Sequence, residues 1–138
     1  MEQRDYILRE IEKIGAILRA IKQKLFGGNI NLAIVIEIQT ENVKEILLTQ
    51  ANFDLDKFMN LNIKDSNEYI TNFNGFNIEN IELLAECITQ IGFNEKCVDS
   101  KKYLEKALQL YDLCNLKSGT YSIEREANVK AINFITLK

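Results

Sequence analysis

The chain contains no histidine, no tryptophan and no proline, and only three cysteines and six glycines in 138 residues. Without histidine there is no Ser-His-Asp triad, no His-containing zinc site, and none of the Glu-x-x-His pairs from which helical di-iron sites are built. Without proline nothing removes a backbone donor from the i to i−4 ladder, which suits long helices. Cys87, Cys97 and Cys114 form no C-x-x-C pair, and their odd number and wide spacing indicate free, mostly buried thiols in a reducing compartment. A cysteine nucleophile is not expected, since no histidine can lower its pKa. No run approaches the roughly 18 apolar residues of a spanning helix, and no apolar signal core follows the charged N-terminus. The expectation is a cytoplasmic protein without a membrane role.

Charge excludes a further class. Seventeen Lys/Arg against twenty Asp/Glu leave a net charge of −3. Residues 1–25 hold six basic and four acidic side chains (+2), and the remainder holds 11 and 16 (−5). That balance gives no basic footprint for nucleic acid. Gly27-Gly28 is the only candidate for a phosphate cradle. It lacks the Lys-Ser/Thr that would reach phosphate and magnesium, so it is expected to stop a helix instead.

What the chain does have is helical periodicity. Ile7, Ile11, Ile14, Leu18, Ile21 and Leu25 are spaced 4, 3, 4, 3, 4, an apolar seam on a helix over Gln3–Phe26. Tyr6, Leu8, Ile17 and Ala20 widen that face, which favours packing within the chain over a two-stranded coiled coil. A second helix is expected from an Asn29 cap to about Thr49, its early Ile34, Ile36 and Ile38 also alternating like a strand that would have no partner. Residues 50–76 are rich in Asn and Asp but also in aromatics, so they are packed, with short helices at Asp54–Leu61 and near Ser66–Phe73 and a turn at Asn74-Gly75. Asn77 opens a helix ending near Cys97. Asp99 or Ser100 caps one over Lys101–Leu116, and Thr120 to Ser122 caps the last, Ile123 to about Thr136. The chain length suits one domain over 1–138.

The run Lys102-Tyr103-Leu104-Glu105-Lys106-Ala107-Leu108-Gln109-Leu110-Tyr111 resembles the second helix of a tetratricopeptide (TPR) repeat, and residues 77–116 have about the length of that 34-residue hairpin. The Trp and Gly-Tyr signatures of the first helix and the closing Pro are missing, and one unit alone is recognisable where stacked repeats need about three. Over nearly its whole length the chain resembles a family of small uncharacterised bacterial proteins. They open on a helix like Asp5-Tyr6-Ile7-Leu8-Arg9-Glu10-Ile11 and close on one like Tyr121-Ser122-Ile123-Glu124-Arg125-Glu126. The resemblance implies a TPR-like α-helical fold and carries over no catalytic residue.

Candidate chemistry is sparse. Glu37, Glu41 and Glu45, and again Glu79, Glu82 and Glu86, fall on single helix faces and are read as solvated rows rather than cation sites. Tyr103 and Tyr111, two turns apart, are candidates for a peptide-binding surface, against the plainer reading that they are core. Phe53, Phe58, Phe73 and Phe76 carry the same choice. Arg9 on the exposed side of helix one is the other interaction candidate. The sequence thus predicts an all-α, TPR-like bundle or array of five to six helices with antiparallel hairpins. It is read as a non-enzymatic scaffold for a protein partner or for itself, through a helix-one homodimer, with no cofactor, metal or catalytic residue assigned. The rival expectation is a small-ligand or catalytic helical domain that works with carboxylates.

Overall fold

The computed structural model describes residues 2–26, 33–93 and 99–136, and among them every regular element is an α-helix. The helices are α1 (Glu2–Phe26), α2 (Ala33–Ala51), α3 (Leu55–Met59), α4 (Ile63–Asn72), α5 (Ile78–Gly92), α6 (Ser100–Ser118) and α7 (Ile123–Thr136). Both short Asn/Asp-rich segments form helices, so the described residues hold seven rather than five or six. The Gly27-Gly28 stop, the Asn29 cap, Cys97 and the last two residues lie outside the described residues, as does the Glu37 side chain.

Local chemistry sets the boundaries. Side-chain oxygens of Asp54, Asn62 and Asn77 accept the backbone N–H of Lys57, Asp65 and Asn80 at 3.1, 2.7 and 2.9 Å, capping α3, α4 and α5. Ser122 Oγ accepts Arg125 N–H at 3.3 Å and opens α7. Asp99 makes no such side-chain bond at the start of α6. Instead Ser100 Oγ donates back to the Gly92 carbonyl and closes the C-terminus of α5, which ends earlier than the expected Cys97. α2 overruns the expected Thr49 by two residues and stops where Asn52 adopts a left-handed φ of 55°. That turn lets the Asn52 and Phe53 N–H groups reach the carbonyls of Leu48 and Leu47.

Two contacts fix the central pairing. Asn80 Nδ2 donates to Ile11 O at 2.8 Å, and Cys87 Sγ approaches Leu18 O at 3.8 Å. The two pairs are separated by the same stretch of chain, so α1 and α5 run parallel. α6 returns antiparallel to α5: Cys114 Sγ lies 3.7 Å from Ile78 O at one end, and Gly92 meets Leu104 at the other. A Cβ at Gly92 would fall 2.8 Å from Leu104 Cδ2, so the close approach there requires glycine. α7 folds back beside α6, and α3 and α4, from the middle of the chain, also pack against α6.

One buried core joins these helices, with Leu18, Phe53, Phe58, Ile70, Ile81, Leu84, Ala85, Ala107, Tyr111 and Ile132 among its sealed residues. Phe53 sits at the centre of an aromatic group, its ring centroid 5.2 to 5.4 Å from those of Phe58, Tyr69, Phe73 and Phe76. This group makes residues 53–76 a packed unit despite their turn-rich sequence.

Candidate functional site

The seam of α1 is covered over only part of its length. Ile14, Leu18 and Ile21 are at most 2% exposed, whereas Ile7 is 46% exposed and its neighbours Tyr6 and Leu8 are at 50% and 49%. Ile7 lies two turns before Ile14 on the same face, so the apolar stripe runs out of the bundle past the α4–α5 turn. At that exit Gly75, with a φ of 99°, lies so close that an added Cβ would fall 2.7 Å from Ile14 Cγ1 and 2.8 Å from Glu10 O. Arg9 is exposed on this projecting segment, its Nε donating to the Asp5 carbonyl at 3.4 Å.

The other two candidates are not on a surface. Tyr103 is 6% exposed and Tyr111 fully buried, because both lie on the stripe with which α6 packs against its neighbours. They are core residues, and the structure does not bring them near Arg9's helix end as a shared face. Burial drives the Tyr111 hydroxyl pKa well above its ordinary value. Thr89 and Asn128 face that hydroxyl without closing a hydrogen bond of good geometry to it.

The acidic rows separate. Glu41 and Glu45 are exposed, and Lys44 bridges Glu41 at 3.3 Å and Asp56 at 2.9 Å. Glu82 and Glu86 are not a solvated row. Glu86 binds Lys22 Nζ at 2.7 Å and so ties α1 to α5; that hydrogen bond is the main cause that raises the Lys22 pKa. Glu82 accepts from Arg125 Nε at 2.6 Å, and Arg125 Nη1 donates to Asn115 Oδ1 at 2.6 Å, which joins α7 to both α5 and α6. Helical spacing placed these carboxylates on one face; which of them would meet a cation depended on helices distant in sequence.

Lys106 is the least expected group. It is 3% exposed, with Nζ 2.9 Å from Leu61 O, 2.5 Å from Ser66 Oγ and 5.0 Å above the Phe58 ring. Burial, followed by the charge of Lys102, lowers its pKa. A serine beside a lysine of depressed pKa has the atoms of a Ser–Lys nucleophile. Here Ser66 is 1% exposed and its Oγ donates to Leu61 O at 3.2 Å, so the pair is sealed and serves as a polar tie between α3, α4 and α6. Cys87 and Cys114 are likewise structural: burial pushes their thiols up to about 12 and about 11, far from the thiolate a nucleophile needs.

The described surface carries shallow grooves. One, of about 450 Å³, lies between α3 and α4 beside Lys57, Asp65, Glu68 and Tyr69. Another, of about 360 Å³, opens at the start of α7 beside Tyr121, Ile123, Glu126, Ala127 and Lys130. Neither contains Ser66 or Lys106. No protein-family model, curated protein or solved structure matches the chain. Asn80, Lys106 and Arg125, the buried polar residues that position the helices, carried no advance signal, because their role depends on carbonyls and carboxylates contributed from elsewhere.

Proposed function

We propose that this chain is a non-enzymatic helical scaffold that binds a protein partner through the projecting turns of α1. One observation carries the proposal: the seam that anchors α1 from Ile14 to Ile21 continues uncovered through Ile7, flanked by Tyr6 and Leu8 at half exposure. Single exposed apolar residues are ordinary on a protein surface; here Ile7 extends the core stripe itself, and Tyr6 and Leu8, about 100° to either side of it, make more than half the circumference of that turn apolar. Such a helix end fits the apolar groove of another protein, with Arg4 and Arg9 beside it to set orientation. The TPR-like reading draws support from the parallel relation of α1 to α5 and the antiparallel α5–α6 hairpin, the geometry by which helical hairpins stack. Buried, protonated Cys87 and Cys114 suit a reducing cytoplasm.

The test is affinity capture of the tagged full chain from its native cells, read by mass spectrometry, with Ile7→Glu and Arg9→Glu beside the wild type. Both positions are exposed, so the variants should keep the wild-type circular dichroism. A stoichiometric partner lost from Ile7→Glu and weakened by Arg9→Glu is the expected result. Recovery of the chain alone, or a partner indifferent to Ile7→Glu, overturns the proposal.

A further inference from the structure

α7 shows a second uncovered face. Its inner side is held by Arg125 and Ile132, both buried, with Val129 partly buried between them. Half a turn around, Ile123, Ala127 and Lys130 follow one another at intervals of four and three along the outward face, with Glu126 at its margin. Ile123 is 91% exposed and Tyr121, which lines the same groove, 79% exposed. An isoleucine so placed adds nothing to the packing of its own chain.

We infer that this face pairs with the same face of a second copy of the chain, α7 against α7 in antiparallel orientation about a two-fold axis. Charge selects that occupant. Glu126 and Lys130 lie on the same margin of the stripe, one turn apart. When two such helices are laid antiparallel with their centres near Asn128, each Glu126 comes level with the partner's Lys130, and the pair forms twice. In a parallel pair the two-fold axis runs along the helices and carries this margin to the opposite side of the interface, so neither Glu126 nor Lys130 would meet its opposite charge. Ala127, close to the axis, is small enough to let the two backbones approach, and Ile123 covers the last turn of the opposite helix. Within each copy, Glu126 and Lys130 form no ion pair.

Area sets the strength. Tyr121, Ile123, Ala127 and the stems of Glu126 and Lys130 offer on the order of 500 Å² per copy, hence about 1,000 Å² in all, the lower limit for a specific interface. The dimer is therefore reversible and concentration-dependent. Two-fold pairing through one self-complementary patch is also the commonest form of homo-oligomer. The inference deepens the scaffold reading by naming one partner, but it uses α7 and leaves the α1 surface free.

Sedimentation equilibrium of the full chain over a concentration series tests it. The wild type should show a monomer–dimer equilibrium. Ile123→Glu, Glu126→Lys and Lys130→Glu should each weaken the dimer by about ten-fold or more, since every change acts twice across the axis. The charge-exchanged pair Glu126→Lys with Lys130→Glu should bring the dimer back towards wild-type strength. Ile123, Ala127 and Lys130 are exposed and Glu126 is partly covered at the margin, so unchanged circular dichroism is required of every variant to separate lost pairing from lost folding. Ala127→Cys in a Cys97→Ser background should form an intermolecular disulfide on mild oxidation, because the two copies of this residue meet near the axis. A monomer at every concentration, a dimer that ignores the α7 changes but dissociates with Ile7→Glu, or a charge exchange that rescues nothing overturns the inference. Failure of partner capture by α1 leaves these outcomes unchanged, so the two readings stand or fall separately.

Discussion

Replacing Asn80 probes the amide that locks α1 to α5. Its Nδ2 donates to Ile11 O at 2.8 Å and to Gly75 O at 2.7 Å, in a setting only 2% exposed. Ile11 O also belongs to the helix ladder of α1, so losing the amide there removes about 1 kcal/mol. Gly75 O lies in the turn before α5, outside any helix, and deprived of its donor it loses about 1–3 kcal/mol. Asn80→Ala should therefore destabilise the fold by about 2–4 kcal/mol, with little dependence on pH. Asn80→Asp keeps the shape but sets a carboxylate against two carbonyls. Burial and the two carbonyls push its carboxyl pKa above the ordinary value of about 3.9 in the folded state, opposed in part by the Arg19 guanidinium, which comes close to the Asn80 side chain beside Gly15. The folded state then holds its proton where the unfolded state has lost it. Stability relative to wild type is greatest below about pH 4 and falls as pH rises through the folded-state value. Urea denaturation followed by far-UV circular dichroism at several pH values measures both variants. An Asn80→Ala loss under about 0.5 kcal/mol, within the range of ordinary surface changes, refutes the lock. So does an Asp variant whose deficit stays constant with pH.

Other variants test the remaining ties. Glu82→Ala leaves the Arg125 guanidinium, whose side chain is 8% exposed, with Asn115 as its polar anchor. The loss should be about 2–3 kcal/mol, below that of a fully buried pair because Glu82 is partly solvated, and α7 amides should lose hydrogen-exchange protection before those of α5 and α6. In a Cys97→Ser background the two remaining thiols should stay unreactive towards an aromatic disulfide reagent until the chain unfolds. Because Cys87 and Cys114 keep their protons up to about 12 and about 11, against an ordinary value near 9, stability should be complete below about pH 9 and fall as pH rises towards those values. Tyr111 acts in the same direction, and Lys106, lowered by burial, partly opposes it; a flat profile from pH 9 to 11 would contradict the assignment. Gly92→Ala should lose about 1–3 kcal/mol by overpacking against Leu104, and in a Leu104→Ala background thermal melts should show most of that penalty relieved.

The sequence allowed the helices to be read because the information for them is local. Asp54 and Asn77 cap where side-chain chemistry says they should, and α7 spans the predicted Ile123–Thr136. The burial of Ile14, Leu18 and Ile21 followed from spacing alone, but the exposure of Ile7 did not, since spacing cannot tell where a neighbouring helix ends. The same limit separates the tyrosines from Arg9: periodicity put Tyr103 and Tyr111 on a face of α6, and only the third dimension turns that face inward. Glu82 and Glu86 show the converse. On a helical wheel they match Glu79, yet Arg125 and Lys22, 43 and 64 residues away, turn two of the three into anchors. The candidate surfaces on α1 and α7 emerge from what remains uncovered after packing, which no local pattern records.

The parallel pairing of α1 with α5 has a consequence for how the chain is made. Helical proteins usually fold fast because their contacts are local, but here the contacts that bury α1 join residues 69 apart. At the usual pace of synthesis the ribosome takes roughly 3–14 s to add that stretch, far longer than a helix needs to form. Through that interval α1 has α2 but not α5 to pack against, so the part of its apolar face that α5 covers stays open to water. The seam that later anchors the fold is, while the chain is nascent, the segment most open to capture by a chaperone.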